Sequence, residues 1–370
     1  MKIQEIYDKD ITRRINPAVV VSEMEDYFVN QEIDEYVFTP GITKNMFKFL
    51  DAVVNKEEGK SGIWISGYYG SGKSHFIKYL FYCLNEKYRE KALENFKISV
   101  DNLEPLEEPT PGIVNSLHKK LNEFEIEEII FNIDAVAEDD GEKDKITRVL
   151  LKKLNAFRGY NNSNIALAIY LEKILDKNGD FDAFKNKIKE KFQEDWDGNQ
   201  NRFTLMYLDK VIEIALEFDA NLDKESLRST ILDKKQDYSI EFLIEELKDF
   251  LSTKQESYRL LFLMDEISQY IGSSSSLLLN LQTIVEEISS KIGTKVWIIC
   301  TAQQDLSSLI TNRDRKTEDF GKILGRFETM ISLESQDAAF ITKKRVLEKN
   351  SNGINFLSEH YKENKGAIEN

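Results

Sequence analysis

The chain has 370 residues, 41% of them hydrophobic and 11% aromatic, enough for a large core arranged as about two domains or as one domain with a big insertion. Its net charge is −15, so the field of the whole chain repels phosphate, and any nucleic-acid contact must use a local basic patch. No segment approaches the length of about 18 apolar residues that a membrane span needs, and the N-terminus has no apolar signal core. We therefore expect a cytoplasmic protein without membrane contact. The two cysteines, Cys83 and Cys300, lie in apolar runs and are expected to be buried free thiols.

Residues 1–45 form a lead-in that mixes short apolar runs with charge. Two interpretations remain open for it: a segment that covers a nucleotide base, or a simple packing segment. Apolar spacing over residues 42–54 then predicts a helix. A charged turn follows and leads into the apolar run 63–65, which is the first predicted strand.

A glycine-rich loop follows this strand, and its pattern is G-x-x-x-x-G-K-[ST] between a strand and a helix. Glycines let the backbone adopt positive φ, so that amide groups and the positive end of the next helix converge on a polyphosphate. The residues expected to bind nucleotide are Gly67, Tyr68, Tyr69, Gly70, Ser71, Gly72, Lys73, Ser74 and His75. Lys73 is expected to reach the β- and γ-phosphates of ATP, and the Ser74 hydroxyl to ligate Mg²⁺. The alternative is a chance glycine turn, which the strand and helix context disfavours.

The next part of the chain changes character twice. Residues 91–112 contain Pro105, Pro109 and Pro111 and are predicted to form a long irregular connection. Residues 126–133 are an apolar run of strand length, the second predicted strand. From about 142 to 256, charged and apolar residues recur at helical spacing, which predicts an insertion of several helices with a solvated charged face.

The third predicted strand, over residues 259–264, runs directly into Asp265 and Glu266. A buried parallel strand delivers such carboxylates to the sheet edge where the glycine-rich loop also lies. Asp265 is expected to hold Mg²⁺ through water, and Glu266 to orient and deprotonate the attacking water. Two acids after a strand can also be a solvated turn, but their pairing with the loop disfavours that interpretation.

A helix over 277–292 and a fourth strand over 295–303 follow. Thr301, and secondly Gln303, are candidates for sensing the γ-phosphate and water, the alternative for either being a helix or loop cap. Arg326 precedes the fifth predicted strand, 329–333. It is either an arginine finger that enters the site of a neighbouring subunit or a helix C-cap.

The basic loop with Arg313, Arg315 and Lys316 leaves direct DNA contact open, since short basic loops usually face solvent. Residues 341–370 are predicted to begin an amphipathic helix and to end in a polar tail.

Five apolar runs that alternate with helices predict an α/β fold with a doubly wound, parallel, five-stranded sheet. The predicted organisation is a lead-in (1–45), a P-loop NTPase core (46–340) that contains the helical insertion, and the start of a helical lid (341–370). The arrangement looks like the AAA+ division of the P-loop (ASCE) ATPases, for which the implied strand order is 5-1-4-3-2.

The amino-acid sequences of several segments resemble the large P-loop ATPase of bacterial BREX phage-defence systems, the BrxC/PglY family. These segments are residues 11–16, 35–37, 64–76, 296–304 and 325–327. The resemblance implies ATP hydrolysis coupled to DNA-associated restriction of phage, within an assembly that also holds a methyltransferase. It also implies a fragment that ends inside the lid, because family members are much longer, with the lid arginine outside this chain.

Three functions compete at this point. The first is an ATP-hydrolysing AAA+ motor or switch that self-associates and acts on DNA or on a DNA-bound partner. The second is an ATP-dependent assembly scaffold with negligible turnover, which the acidic charge and the helical insertion permit. The third, a small-molecule P-loop kinase, fits worst because such enzymes need no water-activating Glu directly after the Mg-binding Asp.

Overall fold

A computed structural model describes residues 2–12, 26–55, 59, 61–68, 71–101, 109–133, 145–233, 238–272, 274–303, 327–333 and 338–368. The chain divides into two compact units. The first, which we call the sheet unit, contains Met1–Ile130, Glu256–Tyr270 and Gly293–Asn370. The second, the helical unit, contains Phe131–Gln255 and Ile271–Ile292.

Five strands form one all-parallel sheet, which confirms the predicted α/β class. The strands are β1 (Gly62–Gly67), β2 (Glu125–Asn132), β3 (Tyr258–Asp265), β4 (Val296–Ala302) and β5 (Thr329–Leu333). Their spatial order is β2-β3-β4-β1-β5, which read from the other edge is the order 5-1-4-3-2 that the resemblance implies. Strands β1 and β4 are buried along their whole length, as expected for central strands of a parallel sheet.

The helices are numbered in chain order, and those of the sheet unit flank its strands in sequence. They are α1 (Asp26–Glu35), α2 (Pro40–Asn55), α3 (Lys73–Leu84), α4 (Arg89–Asp101), α5 (Pro111–Leu121), α13 (Ile267–Ile271), α15 (Ala338–Arg345) and α16 (Ser351–Ile368). The core of this unit packs apolar side chains of α2 and α3 against alternate residues of the sheet. Helix α1 is joined to α3 by a buried group, because Glu32 accepts from Lys78 Nζ at 3.1 Å and from the Tyr82 hydroxyl at 2.7 Å.

The helical unit contains most of the predicted insertion. Its helices are α6 (Lys145–Phe157), α7 (Ile165–Leu167), α8 (Lys173–Asn178), α9 (Phe181–Phe192), α10 (Gln200–Leu216), α11 (Lys224–Leu232), α12 (Ile240–Leu251) and α14 (Ser275–Lys291). A π-helical turn, Ala168–Glu172, joins α7 to α8. Helix α14 belongs to this unit, whereas the sequence placed it among the core elements.

The segment predicted as a long irregular connection is partly helical, so that prediction is wrong. Residues 89–101 form α4, because Ala92, Leu93, Phe96 and Val100 are buried at helical spacing. The prolines that suggested a connection lie after this helix, and Pro111 occupies the first turn of α5, where a missing amide costs nothing. Within residues 341–370, where a helix was predicted to begin, the structure has the end of α15 and the whole of α16.

Candidate functional site

The sequence-predicted side chains meet at the carboxyl edge of the sheet. The glycine-rich loop follows β1, the two acids follow β3, and β4 lies between these strands. In the parallel register Thr301 of β4 is level with Ile65 of β1, and Cys300 is level with Met264 of β3. The end of β4 therefore lies between the loop and the acids. The loop and the acids are far apart in sequence but meet at this edge of the sheet.

The loop enters α3 without a side-chain cap. Gly72 is left-handed, with φ +86° and ψ 14°, and α3 begins at Lys73 with no side-chain hydrogen bond to its first amides. Lys73 Nζ donates to the carbonyl oxygens of Gly67 and Tyr68, and the Ser71 amide donates to the Tyr68 carbonyl at 3.0 Å. Uncapped amides at a helix N-terminus favour an anion, so this turn has the chemistry of a phosphate site.

Gly67 is required by crowding at the end of β1. A Cβ atom there would lie 2.4 Å from Ser71 Oγ and 3.0 Å from the Leu333 carbonyl oxygen. Ser71 Oγ is buried and has no hydrogen-bond partner among the described residues. The first glycine of the motif thus allows the loop to approach the end of β5 closely.

Lys73 and the two acids interact electrostatically. Burial lowers the pKa of the Lys73 ammonium, while the charges of Asp265 and Glu266 act on that pKa in the opposite direction. Lys73 is half-buried, as are both acids. The loop lysine and the acids of β3 therefore belong to one site.

Thr301 is fully buried and contacts both acids. Its hydroxyl donates to Asp265 Oδ1 and accepts from the Glu266 amide at 3.0 Å. The backbone amide of Gln303 donates to Ser268 Oγ at 3.2 Å. The structure thus brings both β4 candidates to the turn that carries the acids.

A pocket of about 500 Å³ opens beside the loop. It is lined by the segment before α2, by the first turns of α2, by the start of α3, by the end of β5 and by α15. Its lining includes Tyr36, Ser71, Gly72, His75, Leu333 and Arg345. Among the described residues the pocket and the glycine-rich turn share Ser71 and Gly72, so a ligand with a phosphate chain and a flat ring could occupy both.

The pocket wall is built on an aromatic pair. The rings of Tyr36 and His75 stack with centroids 4.9 Å apart, and Arg345 Nη1 lies 3.1 Å from His75 Nε2. Burial, and then the charges of Arg345 and Lys78, lower the pKa of His75 to about 3. The imidazole is therefore neutral at physiological pH, and because Arg345 donates to Nε2, the ring proton is assigned to Nδ1.

The residues present fit a magnesium ion bound together with phosphate. Within the described ranges no three His, Cys, Asp or Glu side chains cluster as a protein-only metal site. Mg²⁺ prefers oxygen ligands and keeps much of its hydration, so one hydroxyl and one carboxylate beside phosphates suffice. Ser74, in the first turn of α3, and Asp265 supply these groups.

Several predicted residues lie outside the described residues: Tyr69, Gly70, Arg326, Arg313, Arg315 and Lys316. Two residues of the pocket escaped the sequence analysis as site residues. The only signal for Tyr36 was its position in a lead-in that could cover a base. Arg345 had no signal, because only tertiary contact brings α15 to the loop.

No protein-family model matches this chain. The described part of the chain contains no helix long and apolar enough to cross a membrane.

Proposed function

We propose that this chain binds ATP with Mg²⁺ at the loop and hydrolyses it. The observation that carries the proposal is geometric: the glycine-rich loop after β1 and the acids after β3 meet at one sheet edge, with Thr301 of the intervening β4 hydrogen-bonded to both acids. A lysine beside uncapped helix amides suits a polyphosphate, and paired acids opposite it suit a metal and a water. The strand order 5-1-4-3-2 supports the same assignment, since it is the order that the AAA+ resemblance implies.

Each side chain has a definite task in this proposal. Lys73 leaves the carbonyl oxygens of Gly67 and Tyr68 and neutralises charge on the β- and γ-phosphates. Ser74 and Asp265 hold Mg²⁺, which shields phosphate charge when bound. Glu266 orients the attacking water and takes its proton.

The pocket beside the loop supports a nucleoside as the rest of the ligand. Tyr36 and His75 offer stacked rings, and the neutral imidazole avoids charge repulsion with Arg345. A flat base buried against aromatic rings gains both area and stacking. The lead-in would then cover the base, the interpretation that the sequence left open.

The wider biological role rests on the resemblance. We propose action in a BREX-type phage-defence assembly, with nucleotide turnover coupled to assembly or to DNA-associated action. Self-association with Arg326 inserted into a neighbouring site, other defence components and DNA are the proposed partners. Their supports are the sequence segments that resemble the family and the strand order, which is the one that the resemblance implies.

The test is nucleotide binding and turnover in wild type, Lys73→Ala, Glu266→Gln and the control Glu123→Gln, whose exposed side chain lies in the turn before β2. We expect Glu266→Gln to keep binding and to lose about 10²- to 10⁴-fold in turnover, the usual contribution of a general base. Lys73→Ala should weaken binding about 10- to 100-fold, the cost of a charge-assisted hydrogen bond. The control should match wild type, and each rate is measured with and without duplex DNA.

The outcomes separate the competing functions. Wild type that binds nucleotide without turnover, and that oligomerises with nucleotide in Glu266→Gln but not in Lys73→Ala, would identify the scaffold. Equal turnover in wild type and Glu266→Gln would remove the catalytic assignment. Absence of nucleotide binding in wild type would end the proposal altogether.

A further inference from the structure

The hydroxyl of Thr301 sits between the two acids that follow β3. Thr301 is 0% exposed, and its Oγ1 atom donates to Asp265 Oδ1. The same oxygen accepts the amide proton of Glu266 at 3.0 Å. One buried hydroxyl therefore contacts the side chain of one acid and the backbone of the other.

The proton count of this group restricts what else it can do. A hydroxyl has a single proton to donate, and that of Thr301 goes to Asp265 Oδ1. The Glu266 amide also donates to this Oδ1 atom, at 3.1 Å. Both donors fall on one carboxylate oxygen, so Oδ2, which accepts no hydrogen bond from the described residues, is the oxygen left to a metal or its water.

The backbone of Glu266 needs such support. Its φ is +59°, in the left-handed region that few residues other than glycine adopt. A backbone in this region is strained and persists only where its surroundings determine it. Here the Glu266 amide is held by two acceptors, and its carbonyl oxygen accepts from the Gln269 amide at 3.0 Å.

A second contact ties the same two segments together. The backbone amide of Gln303 donates to Ser268 Oγ. Gln303 lies two residues beyond Thr301, and Ser268 lies two residues beyond Glu266. The end of β4 is thus fastened to the acid-bearing turn at two points. Movement of the turn relative to β4 requires the two hydrogen bonds of Thr301 and the one of Gln303 to open.

We propose that Thr301 is a positioning residue: its hydroxyl occupies Asp265 Oδ1, which would leave Oδ2 to hold a metal or its water, and it holds the backbone of Glu266 in the left-handed conformation. This inference rests on the proposed function of the site. It assigns Thr301 an action through the acids, which differs from direct donation to the γ-phosphate. A positioning role predicts that loss of the hydroxyl changes the magnesium requirement, whereas a phosphate-sensing role predicts a change in the preference for ATP over ADP.

The experiment compares Thr301→Val, Thr301→Ser and the control Thr147→Val. Thr147 is a fully buried threonine of the helical unit whose Oγ1 accepts from Asn280 Nδ2 at 3.2 Å, so the control removes an equivalent buried hydroxyl away from the site. For each protein we would titrate Mg²⁺ against a fluorescent ATP analogue and against ADP, and also measure binding of the same nucleotides in EDTA. Turnover is a separate readout.

For Thr301→Val we expect the Mg²⁺ concentration for half-maximal binding to rise about 10- to 100-fold, the usual cost of removing a group that orients a metal ligand. Nucleotide affinity in EDTA should stay within about twofold of wild type, since the loop is untouched. Thr301→Ser should restore most of the magnesium affinity, because it restores the hydroxyl. Thr147→Val should lower the melting temperature without changing the magnesium requirement.

A lower ATP-over-ADP preference in Thr301→Val with an unchanged magnesium titration would overturn the inference, as would Ser behaving like Val. If the wild type binds no nucleotide, the proposed function fails and the inference with it; if the wild type binds and hydrolyses normally, only the inference is at risk.

If Thr301→Val does not fold, hydrogen exchange of the wild-type peptide that contains Glu266 tests the inference instead. Slow exchange of its amide, retained in Thr301→Ser, supports the inference, and exchange at the rate of an exposed amide contradicts it.

Discussion

The sheet unit and the helical unit differ in the capping of some helices, in backbone conformation and in the pairing of some buried polar groups. In the helical unit, four helical segments begin with a side-chain cap that accepts from an amide of the first turn, by Asn164, Asp223, Ser239 and Ser274. Its left-handed residue other than glycine, Gln193, ends α9, where that conformation is usual. In the sheet unit, α3 begins uncapped and Glu266 is left-handed directly after a strand.

Buried polar groups allow a second comparison. In the helical unit, the Glu246 carboxylate pairs with Arg158 at 2.8 Å and with Lys173 at 2.6 Å, and Glu172 accepts from the Trp196 indole at 2.7 Å. At the candidate site, the Ser71 hydroxyl is buried without a partner among the described residues. The contrast is not complete, because α9 and α10 also begin without a side-chain cap and the Asn155 amide of the helical unit is buried without a partner among the described residues. What distinguishes Ser71 and Glu266 is their place at the candidate site, where a ligand could supply further contacts.

The largest expected effect breaks the buried ion group of the helical unit. Glu246→Ala leaves the Arg158 side chain, about 7% exposed, without its carboxylate, and leaves Lys173 paired with Asp249 alone, at 2.9 Å. Removal of one partner from a buried pair costs about 3–5 kcal/mol of unfolding free energy. Urea unfolding followed by circular dichroism measures this, with Glu213→Ala, at an exposed pair with Lys224, as the control that should show no such loss.

The same variant tests the separation of the two units. Magnesium-dependent nucleotide binding by Glu246→Ala, measured where the protein is still folded, should equal that of wild type. A large loss of binding at full folding would show that the helical unit determines the site, and the contrast between the units would not hold.

A smaller effect is expected from crowding at the loop. Gly67→Ala places a Cβ atom 2.4 Å from Ser71 Oγ and 3.0 Å from a backbone oxygen, so either the loop moves or about 1–3 kcal/mol of stability is lost. Nucleotide affinity should fall at least tenfold. Addition of Ser71→Gly, which removes the nearest atom, should restore part of the stability.

The matched control for this substitution is Gly112→Ala. Gly112 lies in the first turn of α5, where an alanine methyl group would meet no atom within 4 Å, and alanine favours helix. The stability of the Gly112→Ala protein should equal or exceed that of wild type. Equal thermal stability and affinity in wild type and both variants would mean that the glycine-rich turn tolerates a side chain and that its close approach is not required.

The helical unit should lose stability as pH rises. Burial raises the pKa of Glu172 to about 7, so between pH 4.5 and 7 the folded chain holds a proton that the unfolded chain has released. Unfolding free energy then falls by up to about 1 kcal/mol per pH unit across this window. Glu172→Gln should flatten this part of the profile in urea titrations from pH 4 to 8; an unchanged slope would contradict the assignment.

The site residue His75 should make the unfolding free energy rise with pH, the opposite of the effect of Glu172. Its pKa of about 3 lies below the unfolded value of 6.5, so the stability it contributes is present above pH 6.5 and is lost as pH falls toward 3. His75→Gln should reduce the acid-side slope by up to about 1 kcal/mol per pH unit. Because Glu128 of the sheet unit, with a pKa raised to about 8, has the same sign as Glu172, each group is judged from the difference between variant and wild type.

Sequence reasoning succeeded where the signal is local. The strands β1, β3 and β4 are continuous apolar runs, and each was predicted within about two residues because a central parallel strand is buried on both faces. The helix over 89–101 was missed because three prolines further along the chain outweighed its apolar spacing. The glycine-rich motif and the acid pair were found because their spacing is itself the signal.

The amino-acid sequence by itself determined the α/β class, the helical insertion and the residues that carry the proposed phosphate chemistry, since each follows from periodicity or from a contiguous motif. Tertiary structure alone decided that Tyr36, His75 and Arg345 line one pocket, that the Thr301 proton goes to Asp265, and that Glu266 is left-handed. These features depend on contacts between residues tens to hundreds of positions apart. Their energies arise from packing and hydrogen bonding in three dimensions, which no local pattern encodes.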